Sequence, residues 1–399
     1  MPLRTLDRTP SSTPLILRNS RILDVGSGDT VPARSILIRD GRIAEITPEQ
    51  RSLRGADEID LAGLTVLPGL IDSHAHVTQD SGDFHEILSW SSSYHAARTS
   101  RVLEEMLRRG FTTVRDMGGA DFGLARAMEE RLFTGPRLKA GGPIFAPTGG
   151  HVLTQVVDGE VEIRRALRAQ FRDGADHAKL TLSGGVISKM RLDALGFSDA
   201  EITAAVDEAR LAKRYVAAHV YTAEAVARAL RLGVRTIEHG NLLDDECLEL
   251  FLSTGAFYVP TIVTYWTILE GVSGHGITPD KRRAVEDIFE RGLESLAKAA
   301  AAGVSIGYGT DVHGAGLAHQ LQEFALRARV QDPLDVIRSA TSVGARIIGE
   351  EGRAGVVAEG AFADLIALDG DPLSDIGVLA SGEALRVVVT GGQALEVRR

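Results

Sequence analysis

Two rhythms of apolar and polar positions run along the chain, and the change between them divides it. Near the start, Ile16–Asp24, Ser35–Arg39 and Arg42–Ile46 alternate with the period of two expected of strands, and Asp40-Gly41 is the residue pair of a tight hairpin turn. The far end repeats the style in Ala363–Asp369, in Leu385–Thr390 followed by Gly391-Gly392, and in Ala394–Val397. Two β-rich ends around a different middle predict one small β-sandwich domain built from both termini, residues 1–62 plus 350–399.

Between the ends, short apolar runs alternate with helix-period stretches. The expected strands are 64–71, 112–116, 137–141, 176–182, 215–221, 234–239, 256–263 and 304–310. The expected helices are 98–110, 121–133, 160–173, 198–214, 222–232, 244–254 and 279–302. Ser198 followed by Glu201 is a capping-box pattern, and Thr278-Pro279 places a proline just inside a helix start. An open doubly wound sheet has the same alternation. The count of eight strands, with polar residues at so many of their ends, favours an α/β fold of the (β/α)8 TIM-barrel class over residues 63–349.

Composition narrows the partners. Of 399 residues, 44% are hydrophobic and 25% charged, as in a globular protein with a large core, and the net charge of −10 argues against nucleic acid or an anionic membrane as partner. No apolar run is long enough to span a membrane, and residues 1–20 lack the apolar core of a signal peptide. The single cysteine, Cys247, allows no internal disulfide and fits a reducing, cytoplasmic setting; on its expected helix it reads as a packed thiol.

The chemistry gathers at strand ends. His74 and His76, spaced i, i+2 after the run Leu64–Ile71, share one side of a strand. Later strands end in His177-Ala-Lys179-Leu-Thr-Leu-Ser183, His219-Val-Tyr221, Glu238-His239-Gly240 and Gly309-Thr310-Asp311-Val-His313. In a barrel these ends form the mouth where active sites lie. Each histidine alone could be a hydrogen-bonded core residue, and Asp311 a helix cap. Together, four imidazoles and a carboxylate suit zinc, with iron, manganese or cobalt also compatible. Lys179 stands out in an apolar strand, because a buried ammonium is costly unless paired or chemically altered.

These motifs carry a family resemblance. Pro68-Gly-Leu-Ile-Asp-Ser-His-Ala-His76 resembles the opening motif of the amidohydrolase superfamily, and residues 352–373, with Gly360-Ala-Phe-Ala-Asp-Leu365 and Asp371-Pro-Leu373, resemble its closing β-domain motif. Lys179-Leu-Thr-Leu-Ser-Gly-Gly-Val186, Gly149-Gly-His151 and His219-Val-Tyr221 resemble the imidazolonepropionase-like branch that holds zinc Xaa-Pro dipeptidases (prolidases), carboxypeptidase-like dipeptidases and ochratoxinase.

The resemblance implies two divalent metal ions, with zinc preferred. His74, His76 and Asp311 would hold one ion and His219 and His239 the other, with Lys179 carboxylated to N6-carboxylysine between them. It implies attack by metal-activated hydroxide on an amide, with Asp311 moving the proton. His151 and Tyr221 would face the substrate, either at the oxyanion or at a free carboxylate, and His313 is a further substrate-side candidate. The implied substrate is a dipeptide or N-acyl amino acid, and the implied assembly a homo-oligomer. A mononuclear cyclic-amide hydrolase such as imidazolonepropionase is the alternative, and Lys179 separates the two. A non-catalytic barrel would lack a ligand, and none of the six positions is missing.

Elsewhere, His177 shares the side of Lys179 one pleat deeper and reads as structural. His85, His95, His275 and His319 read as loop or helix residues, Arg115-Asp116 as a supporting ion pair, and Thr78–Tyr94 as a long loop that could wall the pocket.

Overall fold

The computed structural model describes residues 13–49, 51–151, 155–186, 188–274 and 277–396. Strands are β1 (Leu15–Leu23), β2 (Thr30–Arg39), β3 (Arg42–Thr47), β4 (Asp57–Asp60), β5 (Thr65–Pro68), β6 (Leu70–Ala75), β7 (Phe111–Asp116), β8 (Arg137–Ala140), β9 (Ile144–Ala146), β10 (Gln155–Val156), β11 (Ala178–Thr181), β12 (Val216–Thr222), β13 (Thr236–Leu242), β14 (Phe257–Val259), β15 (Ser305–Ile306), β16 (Leu365–Leu368), β17 (Leu385–Thr390) and β18 (Gln393–Glu396).

Both ends of the chain meet in one mixed sheet. Its order is β18-β17-β16-β5-β1-β2-β3, with β4 also on β1. The hairpin predicted at Asp40-Gly41 is present, and both residues have positive φ, as the tight turn between β2 and β3 requires. Leu15, Leu17, Ile36, Ile38, Val66, Leu365, Val387 and Val389 fill this sheet's own core.

The apolar run 64–71, expected as a single strand, is divided. Thr65–Pro68 lies between β1 and β16 in the end sheet, while Leu70–Ala75 pairs in parallel with β7. Gly69 sits at the break, where a Cβ would fall 2.1 Å from the Thr112 hydroxyl. We therefore propose Gly69, rather than residue 63, as the point where the chain passes from the β-rich unit to the barrel.

The middle is α/β with parallel strands. One set runs β6-β7-β8 and the other β9-β11-β12-β13-β14-β15, with β10 beyond β9. They are joined through Gly141-Gly142-Pro143, which interrupts the third barrel strand between β8 and β9. Backbone bonds from Ser73 N to Tyr308 O and from Asp311 N to His74 O, both 2.8 Å, tie the last strand to the first. Every residue of β6, β7 and β11 is buried.

Helix signals in the sequence are largely realised. The Ser198–Glu201 capping box forms with both of its bonds, and Thr278 caps the helix Pro279–Ala302. Two expectations are corrected. Residues 262–269 form a helix rather than the end of strand 256–263: Pro260 and the left-handed Thr261 stop β14, and the buried Glu323 carboxylate accepts from Val263 N at 2.6 Å. The segment 78–94 is not simply a loop, because Asp83 and Ser91 cap the helices Phe84–Ser89 and Ser92–Arg108. Among the described residues no helix is long and apolar enough to cross a membrane.

Candidate metal centre

The strands deliver their polar ends to one place. His74 and His76 project from the end of β6, and their Nε2 atoms lie 3.5 and 3.3 Å from the same Asp311 oxygen. The donor atoms of these three residues all lie within 4.8 Å of one another. Close approach of the last strand depends on Gly309, where a Cβ would meet that of His74 at 2.7 Å. His239, at the turn of β13, brings its ring to 5.1 Å from that of His74 and 4.5 Å from that of His219 on β12.

Hydrogen bonds aim these rings. His74 Nδ1 lies 2.8 Å from Glu238 Oε2, and His76 Nδ1 lies 2.8 Å from Gly118 O. With Nδ1–H donated outward, each Nε2 keeps its lone pair for the site. His239 Nδ1 sits 2.8 Å from the Thr261 hydroxyl, while His219 turns Nε2 to Gly184 O at 3.3 Å. Three non-glycine residues here carry positive φ: His239 at 72°, Thr261 at 50° and Asp311 at 52°. Backbone held in this region costs free energy and is concentrated at functional sites.

A buried polar layer supports the ligand candidates. Glu238 also pairs with Arg115 at 2.8 Å and accepts from the Thr236 hydroxyl at 2.6 Å. The ion pair expected from Arg115-Asp116 is therefore made with Glu238. Asp116 instead accepts from the backbone N–H groups of Val77, Gly118 and Ala120. Asp72 accepts from His74 N, from Thr310 N and its hydroxyl, and from Gln320 Nε2, which fixes β6 to the last strand. Sequence reasoning left Glu238 without a role and did not single out Asp72. Asp72 lies two residues before His74, where a carboxylate in an apolar strand was the available signal.

Lys179 lies on β11 next to β12 in register with Ala217, with 3% of its surface exposed and no ion pair among the described residues. Burial draws its amine down to about 8, although the charges of Glu238 and Asp311 oppose this. Burial, with the charge of Lys179, brings His74 to about 4 and keeps it a neutral imidazole. His219 and His239 are also held well below the ordinary histidine value, first by burial, with the charge of Lys179 adding to it and that of Asp311 opposing it. Burial alone would raise Asp311, but His74, the hydrogen bond with His76, and then His313 and His239 together outweigh it and hold the carboxyl well below its usual range. His76 departs from this pattern: burial opposes its charge, but its hydrogen bond to Asp311 raises the imidazole above its ordinary value, so binding a divalent ion there releases a proton.

The other expected site residues surround this group. The His151 ring lies 4.4 Å from that of His219 and fits against Gly185, where a Cβ would meet it at 2.6 Å. The Tyr221 ring stacks on His239 at 5.3 Å. His313 stacks on His76, and its Nε2 lies 3.5 Å from Asp311. His177 is buried deeper and stacks on Tyr215. His85 is exposed, His95 meets Thr78 O at 2.8 Å, His319 contacts Trp266, and His275 lies outside the described residues.

Residues 65–395 match the profile of the amidohydrolase family, so the chain belongs to that family of hydrolases. Ochratoxinase of Aspergillus niger is 29% identical, over 93% of this chain and 85% of its own. A prolidase solved in complex with N-methylphosphonate-L-proline is 39% identical, with a TM-score of 0.92 over 97% of this chain and all of that one. A Xaa-Pro dipeptidase solved with methionine in its active site is 30% identical, with a TM-score of 0.87 over 96% of this chain and all of that one. These likenesses agree with the α/β fold of TIM-barrel type and with amide hydrolysis. The family generally uses metal ions, and the His74, His76 and Asp311 group fits that use.

Proposed function

We propose that this chain is a binuclear, zinc-dependent amide hydrolase that releases the C-terminal amino acid of a dipeptide or N-acyl amino acid. The observation that carries this reading is Lys179, a lysine buried among His74, His219, His239 and Asp311 without an ion pair among the described residues. Such a group is costly as an ammonium. Carboxylation to N6-carboxylysine turns it into an anion with two ligand oxygens. His74, His76 and Asp311 would hold one ion, His219 and His239 the other, and carboxylated Lys179 would lie between them.

When bound, the ions supply an activated water and a Lewis acid for the amide carbonyl. The side chains do the remaining work. Asp311, ionised at rest, accepts the proton of the attacking water at a carboxylate oxygen and returns it to the leaving nitrogen. His151, brought to about 4 by burial, is neutral. Tyr221, raised by burial, keeps its phenolic proton at physiological pH. Both would donate to the developing oxyanion or to the free carboxylate of the substrate, and His313, near His76 and Asp311, would serve on the substrate side.

The substrate class rests on likeness to prolidase, Xaa-Pro dipeptidase and ochratoxinase. A panel of dipeptides and N-acyl amino acids, assayed with zinc, tests it. Hydrolysis should require the free carboxylate, and Tyr221→Phe and His151→Asn should weaken turnover of such substrates most. Turnover confined to cyclic amides would contradict the reading.

One observation favours a second reading, a mononuclear cyclic-amide hydrolase. Among the described residues, the compact metal-binding group consists of His74, His76 and Asp311 without His219 or His239. Metal content separates the two.

A further inference from the structure

Tyr221 does not stand alone at the site. Its hydroxyl lies 3.1 Å from that of Tyr265, and the Tyr265 hydroxyl lies 3.0 Å from Asn241 Oδ1. Tyr265 and Asn241 are fully buried, on the helix Ile262–Leu269 and on β13. The Thr261 hydroxyl, one residue before this helix, meets His239 Nδ1 at 2.8 Å. Thr261 is a β-branched residue in left-handed backbone, a costly conformation. That conformation starts the helix that carries Tyr265 and sets the threonine hydroxyl against the histidine.

Counting protons gives this chain a direction. A His239 that presents Nε2 to the site donates Nδ1–H to Thr261. Tyr265 has one proton and two acceptors in range, Asn241 Oδ1 and the Tyr221 oxygen. The Asn241 amide nitrogen faces Ile288 O at 3.4 Å, so its oxygen is the end turned to Tyr265. If Tyr265 donates to Asn241, the Tyr221 proton is free to fall back on Tyr265. If Tyr265 donates to Tyr221, the Tyr221 oxygen is an acceptor there and its own proton must point elsewhere. The Tyr221 ring packs on both His239 and His219, which puts the residue in the wall of the site.

We propose that Tyr265 is a positioning residue: by swinging its O–H from Asn241 to Tyr221, it turns the Tyr221 proton onto a negative oxygen of the bound substrate. The proposal deepens the hydrolase reading and rests on it. Tyr265 touches no substrate. It acts through Tyr221 alone, so its effect must vanish when the Tyr221 hydroxyl is absent.

The test is a double-mutant cycle of Tyr265→Phe and Tyr221→Phe on an N-acyl amino acid that the parent cleaves. Tyr265→Phe keeps the ring, and thermal melting checks that it folds. It should lower kcat/KM about tenfold, with the same division between kcat and KM as Tyr221→Phe. In the Tyr221→Phe background it should change kcat/KM by less than about twofold. The affinity for a phosphonate analogue of the tetrahedral state, measured by calorimetry, should show the same non-additivity without requiring turnover. Losses that multiply in the double variant would overturn the positioning role and leave the hydrolase reading intact. A parent inactive on every amide of the panel would overturn the hydrolase reading and this inference with it.

Discussion

His74 and Glu238, 164 residues apart in sequence, meet through a 2.8 Å contact between Nδ1 and Oε2 inside the barrel. That contact fixes which nitrogen His74 offers to the site. Glu238→Gln keeps the shape but removes the charge that orients His74 and balances the buried Arg115. Metal affinity, measured by competition with a chelator on folded protein, should fall about 10–100-fold. Unchanged affinity would mean that the pair serves stability alone.

Lys179 should respond to carbon dioxide. Its amine attacks CO2 only when neutral, and burial brings its pKa to about 8. Reconstitution of metal-free protein with zinc should therefore be faster with bicarbonate and should quicken as pH rises through about 8. Lys179→Ala should lose metal and activity, with partial rescue by small carboxylic acids. Metal uptake indifferent to bicarbonate would count against a carbamate.

Asp311→Asn should leave the fold intact, because Asn tolerates the left-handed backbone at φ 52° about as well as Asp. It removes the proton acceptor, and turnover should drop by at least about 10²–10⁴-fold while the circular dichroism spectrum stays that of the parent. Retained turnover would move the proton transfer to another group.

Glu323 makes stability pH-dependent away from the site. Burial raises its carboxyl from 4.5 to about 8, against the pull of Arg327. The folded state thus keeps a proton that the unfolded chain releases between these two values. Stability should fall as pH rises from 4.5 to about 8, by up to about 1.4 kcal/mol per pH unit, and level off above that. Glu323→Gln retains an acceptor for Val263 N and should flatten this slope in urea melts at pH 5, 6.5 and 8.5. Equal slopes in both proteins would refute the assignment.

The residues gathered at the centre were legible because strand ends of a barrel share one face. His74, His76, Lys179, His219, His239 and Asp311 each stand at or near such an end, and the period of two places His74 and His76 together. Their supports were less legible, since pairing of Glu238 with Arg115 and His74 depends on contacts across the barrel that no local pattern encodes. The break at Gly69 did have a local signal in Pro68-Gly69, hidden by the apolar residues on both sides. Ile262-Val263 reads as the end of a strand by its β-branched residues, yet Glu323, about 60 residues on, accepts from Val263 N and the segment forms a helix. Tertiary contact overrode local preference there. Tyr265, two residues beyond the expected strand, was missed because nothing local ties it to Tyr221.

The central claim is a two-metal centre bridged by a modified lysine. Metal content of protein reconstituted with zinc, read together with the intact mass, tests it most directly. The account predicts two zinc ions per chain and an intact mass, measured without denaturation, increased by one CO2. One ion per chain with an unmodified Lys179 would contradict it.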